Sequence, residues 1–332
     1  MANGKLVISL DFEIYWGVRD AVKLENYNEH LLGVHTVIPK LLDMFNKYKI
    51  NATFATVGFL FFDSKEELLK NLPLRKPQYS NSFLSPYTDH LKTLGENEES
   101  DPYHFGTKLI QLILDSGQEI GSHTFSHYYC LEKGQTTEDF KEDLLAAKKI
   151  ATKIEIELKS FVFPRNQYHQ EYLKICKELG FTSYRGNERS WLFSSKTQGT
   201  GTFFRRPFRL LDAYTNLSGH NCYSLKEIQK EEPFNIPSSR FLRPFTQKLS
   251  PFEKLRLKRI KTSMEYAAKN DLVYHLWWHP HNFGINISEN FSFLEQILIH
   301  FKKLNNQYQF ESVSMQQLST ELKEKKWGRQ DY

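Results

Sequence analysis

Cysteine is scarce in this chain of 332 residues, which holds only Cys130, Cys176 and Cys222. An odd set without metal-ligand spacing excludes a disulfide framework and a cysteine-built zinc site, and it fits a reducing compartment. Also missing is any apolar run near the roughly 18 residues that a membrane span needs. The opening "MANGKLVISLDF" has no basic leader, long apolar stretch or small-residue cleavage site. That reads as a cytoplasmic protein, with peripheral contact at the inner face of a membrane left open. Neither an internal repeat nor a low-complexity tract occurs, which excludes solenoids and arrays.

Charge is nearly balanced, 44 Lys and Arg against 39 Asp and Glu, for a net +5. Such a balance permits anionic partners without demanding them. Basic and aromatic residues form no recognisable nucleic-acid module, so nucleic acid is not an expected partner. What the chain does have is 40% hydrophobic and 14% aromatic residues, ample for a large core.

Those residues are patterned. Short β-branched and aromatic runs ("KLVISLDF", "INATFATVGFL", "QEIGSHT", "KSFVFPRN", "FTSYRG", "DLVYHLWWHPHNFG") alternate with segments whose apolar residues recur three and four apart, such as "HTVIPKLLDMFNKYK" and "SENFSFLEQILIHFKKL". Serial βα alternation predicts a parallel sheet or an α/β barrel. Residues 73–105, rich in Pro, Ser and Asn, read as an inserted loop or lid, and residues 197–250 as a second irregular insertion.

Four stretches carry candidate chemistry. In "LVISLDFEIYWG", Asp11 and Glu13 lie two apart on an apolar strand, hence on one side of it and at its C-terminal end, where α/β barrels build their sites. In "GSHTFSH", His123 and His127 are four apart, a spacing from which two imidazoles reach one divalent ion. One carboxylate can complete that triad while the other activates water; the residues alone do not say which does which. "LWWHPHNFG" offers His279 and His281 after a strand, as proton donors to a leaving group. "FVFPRNQ" places Arg165 and Asn166 likewise, with the arginine expected to hold the base carboxylate ionised.

The order and spacing of "SLDFE", "KINATFATVG", "EIGSHTFSH", "FPRNQ" and "WWHPHNFG" resemble the NodB-homology polysaccharide deacetylases, carbohydrate esterase family 4 and its relatives, over about residues 5–320. The likeness is greatest to the branch without a signal peptide found among surface-polysaccharide synthesis enzymes. It implies a distorted (β/α)7 barrel with inserted loops, one catalytic domain over residues 1–332. It also implies metal-dependent hydrolysis of an N-acyl group, usually acetyl, from an amino sugar. Carried across, Asp11 is the general base, Arg165 its tuning partner and His279 the general acid. Glu13, His123 and His127 hold the divalent metal ion, and zinc suits two imidazoles and a carboxylate.

The family's adjacent second aspartate is replaced by Phe12, so Glu13 takes over as third ligand, and Asp11 and Glu13 can exchange roles. Asn166, Trp16, Trp278, His281 and Asn282 are the expected substrate contacts, and Trp191 is the one candidate to support the acid. A cytoplasmic location favours a nucleotide- or lipid-linked amino sugar. Arg205, Arg206, Arg209 and the basic stretch from Ser239 to Lys261 offer a grip on its diphosphate or on an anionic membrane surface or, more simply, a solvated helix face. Two rival readings are a deformylase and a carbohydrate-binding protein that has lost catalysis.

Overall fold

The computed structural model describes residues 3–190, 192 and 201–327. Its ten strands are β1 (Lys5–Phe12), β2 (Ala52–Thr56), β3 (Glu119–Ser122), β4 (Ser160–Phe161), β5 (Ser183–Tyr184), β6 (Tyr223–Ser224), β7 (Phe234–Asn235), β8 (Arg240–Phe241), β9 (Leu272–Trp278) and β10 (Glu311–Ser312). They pair in the order β6-β9-β1-β2-β3-β4-β5-β7, with β10 on β1 and β8 on β9. Every pairing is parallel except β6 with β9. Helices return between the strands, which is how parallel neighbours must be joined.

One extended stretch draws the two ends of the curled sheet together. Phe234, Ile236 and Ser238 donate their N–H groups to the carbonyls of Thr182, Tyr184 and Gly186 at β5, and Ser239 and Leu242 donate to His275 and Trp277 of β9. The result is a mostly parallel, curled sheet of the (β/α)7 type.

All eight residues of β1 are buried, as expected of a central strand covered on both faces. Leu6, Ile8, Leu10 and Phe12 pack outward with Val37 and Leu41 of the helix Val34–Tyr48 and Ile297 of the helix Ile287–Tyr308. Val7 points inward with Ala55, Val162, Ile236 and Val273, and Met315 and Leu318 of the C-terminal helix close that inner cluster. Period-two alternation therefore sets Ser9 and Asp11 on the inner face as well. The register Ser9↔Trp277 and Leu10↔Trp278 hands the same parity to β9.

The stretch 73–105 is pinned to the barrel rather than standing free. Arg75 pairs with Asp139, Tyr79 accepts the N–H of Tyr129, and the Leu84 carbonyl accepts from Arg19. No described helix is long and apolar enough to cross a membrane.

Candidate functional site

The strands β1, β3, β5 and β9 end on one face, and their last residues converge there. Glu13 Oε2 lies 3.2 Å from Nε2 of His123 and 3.2 Å from Nε2 of His127. Ligand atoms of the three residues all fall within 4.8 Å of one another, and all three side chains are buried.

Hydrogen bonding fixes what those atoms are. His123 Nδ1 donates to the Val162 carbonyl at 2.9 Å, so a neutral ring turns an Nε2 lone pair toward Glu13. Tyr129 donates its one hydroxyl proton to Asp20 at 3.0 Å and therefore accepts from His127 Nδ1 at 3.1 Å, leaving His127 Nε2 a lone pair too. Burial outweighs the pull of Glu13 and holds the His127 pKa down at about 4, so this ring is neutral at neutral pH. Two imidazole lone pairs facing one carboxylate oxygen repel unless a cation sits among them. This donor set fits a divalent metal ion.

The loop bearing the two histidines is held from beneath. Asp143, on the helix Thr137–Lys153, accepts the N–H groups of Phe125 (2.7 Å) and Ser126 (3.2 Å) and the Ser126 hydroxyl. Left-handed backbone at Ile14, Thr124, His127, Arg165 and Asn166 gathers at these strand ends, the kind of strain that persists only where surroundings enforce it.

Asp11 lies beside this cluster, gripped by Arg185 through bonds of 2.6 and 2.7 Å. Burial raises its pKa, yet the Arg185 charge, aided by His123 and His279, leaves it below the ordinary value. Arg185 is itself seated by Asn166 Oδ1 at 2.9 Å, by Ser9 at 3.1 Å and by the Trp277 ring 4.0 Å away. Ser9 in turn donates to Nε2 of His275, whose Nδ1 donates to the Ile236 carbonyl. Burial, helped by Arg185, lowers the His275 pKa to about 3 and keeps it neutral.

His279 completes the pit from β9. Its Nε2 is 3.6 Å from Asp11 and 3.5 Å from Glu13, while Nδ1 meets Asn282 Oδ1 at 3.3 Å. Its side chain is 24% exposed, whereas Asp11 and Glu13 are at 4% and 3%, so the pit opens past His279.

Several expectations change. Arg165 pairs with Asp20 and Glu132 and stacks on Tyr129, 4.0 Å from the ring centre; Arg185 holds Asp11 in its place. Asn166 and Asn282, expected to contact substrate, are both partly exposed and also meet Arg185 and His279 respectively. Trp16 and Trp278 are wholly buried, Trp16 against Phe59 and His104 and Trp278 against Phe45 and Phe283, so neither reaches a substrate. The register above puts Trp277 on the inner face instead. His281 is buried under His279, with its pKa held at about 3 by burial and by that neighbour.

Among the basic residues, Arg240 pairs with Asp212, Arg256 with Glu253, and Arg259 donates to the Thr215 and Gly219 carbonyls; all three are buried, neither solvated nor open to a diphosphate. Arg209 donates to the Leu192 carbonyl. Trp191 and the side chains of Arg205 and Arg206 lie outside the described residues. Arg185, Tyr129 and Asp20 were not anticipated. For Arg185 the signal was present: "FTSYRG" sets an arginine directly after a strand, as "FVFPRN" does.

A curled parallel α/β sheet with two carboxylates and two histidines at its strand ends is a barrel of the carbohydrate esterase family 4 type. Residues 29–184 match the polysaccharide deacetylase family model, a span that takes in His123 and His127. That match spans just under half of the chain, and it is there that the chain is similar to the polysaccharide deacetylases. It is 24% identical over 160 residues to a peptidoglycan-N-acetylglucosamine deacetylase of Bacillus cereus, covering 47% of this chain and 54% of that protein, about half the relative's length. A solved protein of Mycobacterium smegmatis assigned to the polysaccharide deacetylases shares the fold, with TM-score 0.60 and 11% identity over 98% of this chain and 92% of that one. The Xyl-CE4 domain of a multidomain xylanase from the hindgut metagenome of Trinervitermes trinervoides aligns at TM-score 0.44 and 13% identity, over 98% and 92% of the two chains.

Proposed function

We propose that this chain is a metal-dependent amide hydrolase that removes an N-acyl group, acetyl first among them, from an amino sugar. One observation carries the reading: Asp11, gripped by Arg185, and His279 flank the Glu13–His123–His127 cluster within hydrogen-bonding range of a shared space. A divalent ion held by Glu13, His123 and His127, with zinc the best match to two imidazoles and a carboxylate, would supply Lewis acidity toward water and the acyl oxygen.

The chain's own groups do the rest. Asp11, kept ionised by Arg185, takes the proton of the attacking water. His279, its Nδ1 fixed by Asn282, delivers a proton from Nε2 to the departing amine, the poorest leaving group in the reaction. Low exposure of both carboxylates limits competing water and strengthens these interactions.

The proposed substrate is a nucleotide- or lipid-linked precursor of a surface polysaccharide, handled in the cytoplasm. The mild net charge of +5 is compatible with an anionic, diphosphate-linked sugar. With Arg240, Arg256 and Arg259 engaged internally, a diphosphate grip falls to other basic groups.

The test is mass spectrometry of the purified, zinc-loaded protein with N-acetylated and N-formylated amino sugars, free and diphosphate-linked. Loss of an acetyl mass that vanishes in Asp11→Asn supports the reading. Loss of formyl alone assigns the deformylase reading. No loss from any candidate, with metal bound, contradicts hydrolysis and leaves a binding protein.

A further inference from the structure

We propose that the rim of the catalytic face around Phe252 and Leu255 docks on an anionic lipid surface. The helix Glu253–Lys269 runs back along the barrel before β9, so its first turn lies at the face where β9 ends beside His279. Residues 207–217 adjoin that turn, with the Tyr214 ring edge-on to Phe252 at 5.9 Å between centroids.

Isolated exposed apolar side chains are ordinary. Here Leu211, Leu217, Phe252 and Leu255 are each 44–48% exposed and lie on two stretches, 207–217 and 247–255, that meet at Tyr214 and Phe252. The surrounding charge has one sign. The acids of residues 207–217 and 246–262 are Asp212 and Glu253; Asp212 is fully buried on Arg240, and Glu253 is paired with Arg256. Lys248, Lys254 and Lys258 are exposed and form no ion pair among the described residues.

Apolar side chains bordered by unpaired lysines match anionic headgroups over acyl chains. A second copy is a poorer occupant, because a two-fold contact would bring the same lysines together. Docking this rim would turn the pit toward a sugar carried on lipid. That purpose rests on the proposed function, whereas the surface itself does not.

Co-sedimentation of the full chain with phosphatidylcholine vesicles, with and without phosphatidylglycerol, tests it. Expected are binding only where phosphatidylglycerol is present, weakening with salt, and a loss of about tenfold or more in the double variant Phe252→Glu/Leu255→Glu. Both positions are exposed, so the variant's thermal melting and its zinc binding should match the parent. Equal binding to both vesicles, no binding, or binding unchanged in the variant would overturn the proposal. So would a dimer in sedimentation equilibrium that the same variant dissolves. Vesicle binding without hydrolysis of any N-acyl sugar would fail the proposed activity and leave the docking surface standing.

Discussion

Arg185 closes on Asp11 with two parallel hydrogen bonds of 2.6 and 2.7 Å, and both side chains are buried. Removing the arginine strands a carboxylate in the barrel, and Arg185→Ala is expected to cost about 3–5 kcal/mol of stability by chemical denaturation. Arg185→Lys keeps a charge without the two-pronged grip. Because Arg185 depresses the Asp11 pKa, the base is ionised and active above that value and is lost as pH falls through it. Weakening the pair raises the value, so the acid limb of the kcat/KM profile should move to higher pH in Arg185→Lys. An unmoved limb would remove Asp11 from the role of base.

Gly17 bears directly on Glu13. A Cβ added there would lie 1.8 Å from the Glu13 carboxyl carbon and 2.0 and 2.3 Å from its oxygens. Gly17→Ala must therefore displace the carboxylate from His123 and His127. The expected result is a folded protein whose zinc affinity, read by competition with a chromogenic chelator, falls by about tenfold or more, the scale seen when ligand geometry is disturbed.

Tyr129 and Asp20 act on the cluster through His127. Tyr129→Phe removes the acceptor of His127 Nδ1–H, freeing the ring to rotate and change tautomer. Zinc affinity should drop by about 10–100-fold, with a smaller loss in Asp20→Asn, which keeps a polar acceptor for the tyrosine. Wild-type affinity in Tyr129→Phe would show that the hydrogen bond does not orient the ligand.

Asp143 tests the support beneath the histidine loop. Asp143→Ala leaves the Phe125 and Ser126 N–H groups and the Ser126 hydroxyl without their buried acceptor, at about 3 kcal/mol or more by chemical denaturation. Asp143→Asn, which still accepts through one oxygen, should lose less.

Much of this was legible where the signal is local. Alternation along "KLVISLDF" locates β1 as Lys5–Phe12, and the same parity puts Ser9 and Asp11 inside. Alternation also groups His275, Trp277 and His279 on one face of β9, so it could have told Trp277 from Trp278. The pairing of Asp11 with Arg185 was not legible, because it depends on which of two strand-end loops reaches inward across the barrel. Residues 234–242, read as irregular from their Pro and Arg content, draw the ends of the sheet together through bonds to β5 and β9 far away in sequence. Nor could composition show that Arg240, Arg256 and Arg259 turn inward.

The most direct measurement is zinc binding by equilibrium dialysis, comparing the chelator-stripped wild type with Glu13→Gln and His127→Ala. The expected result is one tightly bound ion per chain in the wild type, with binding weakened by orders of magnitude in both variants while their folds persist by circular dichroism. Wild-type zinc binding retained in both variants, or no ion bound by the wild type, would contradict a metal site built on Glu13, His123 and His127.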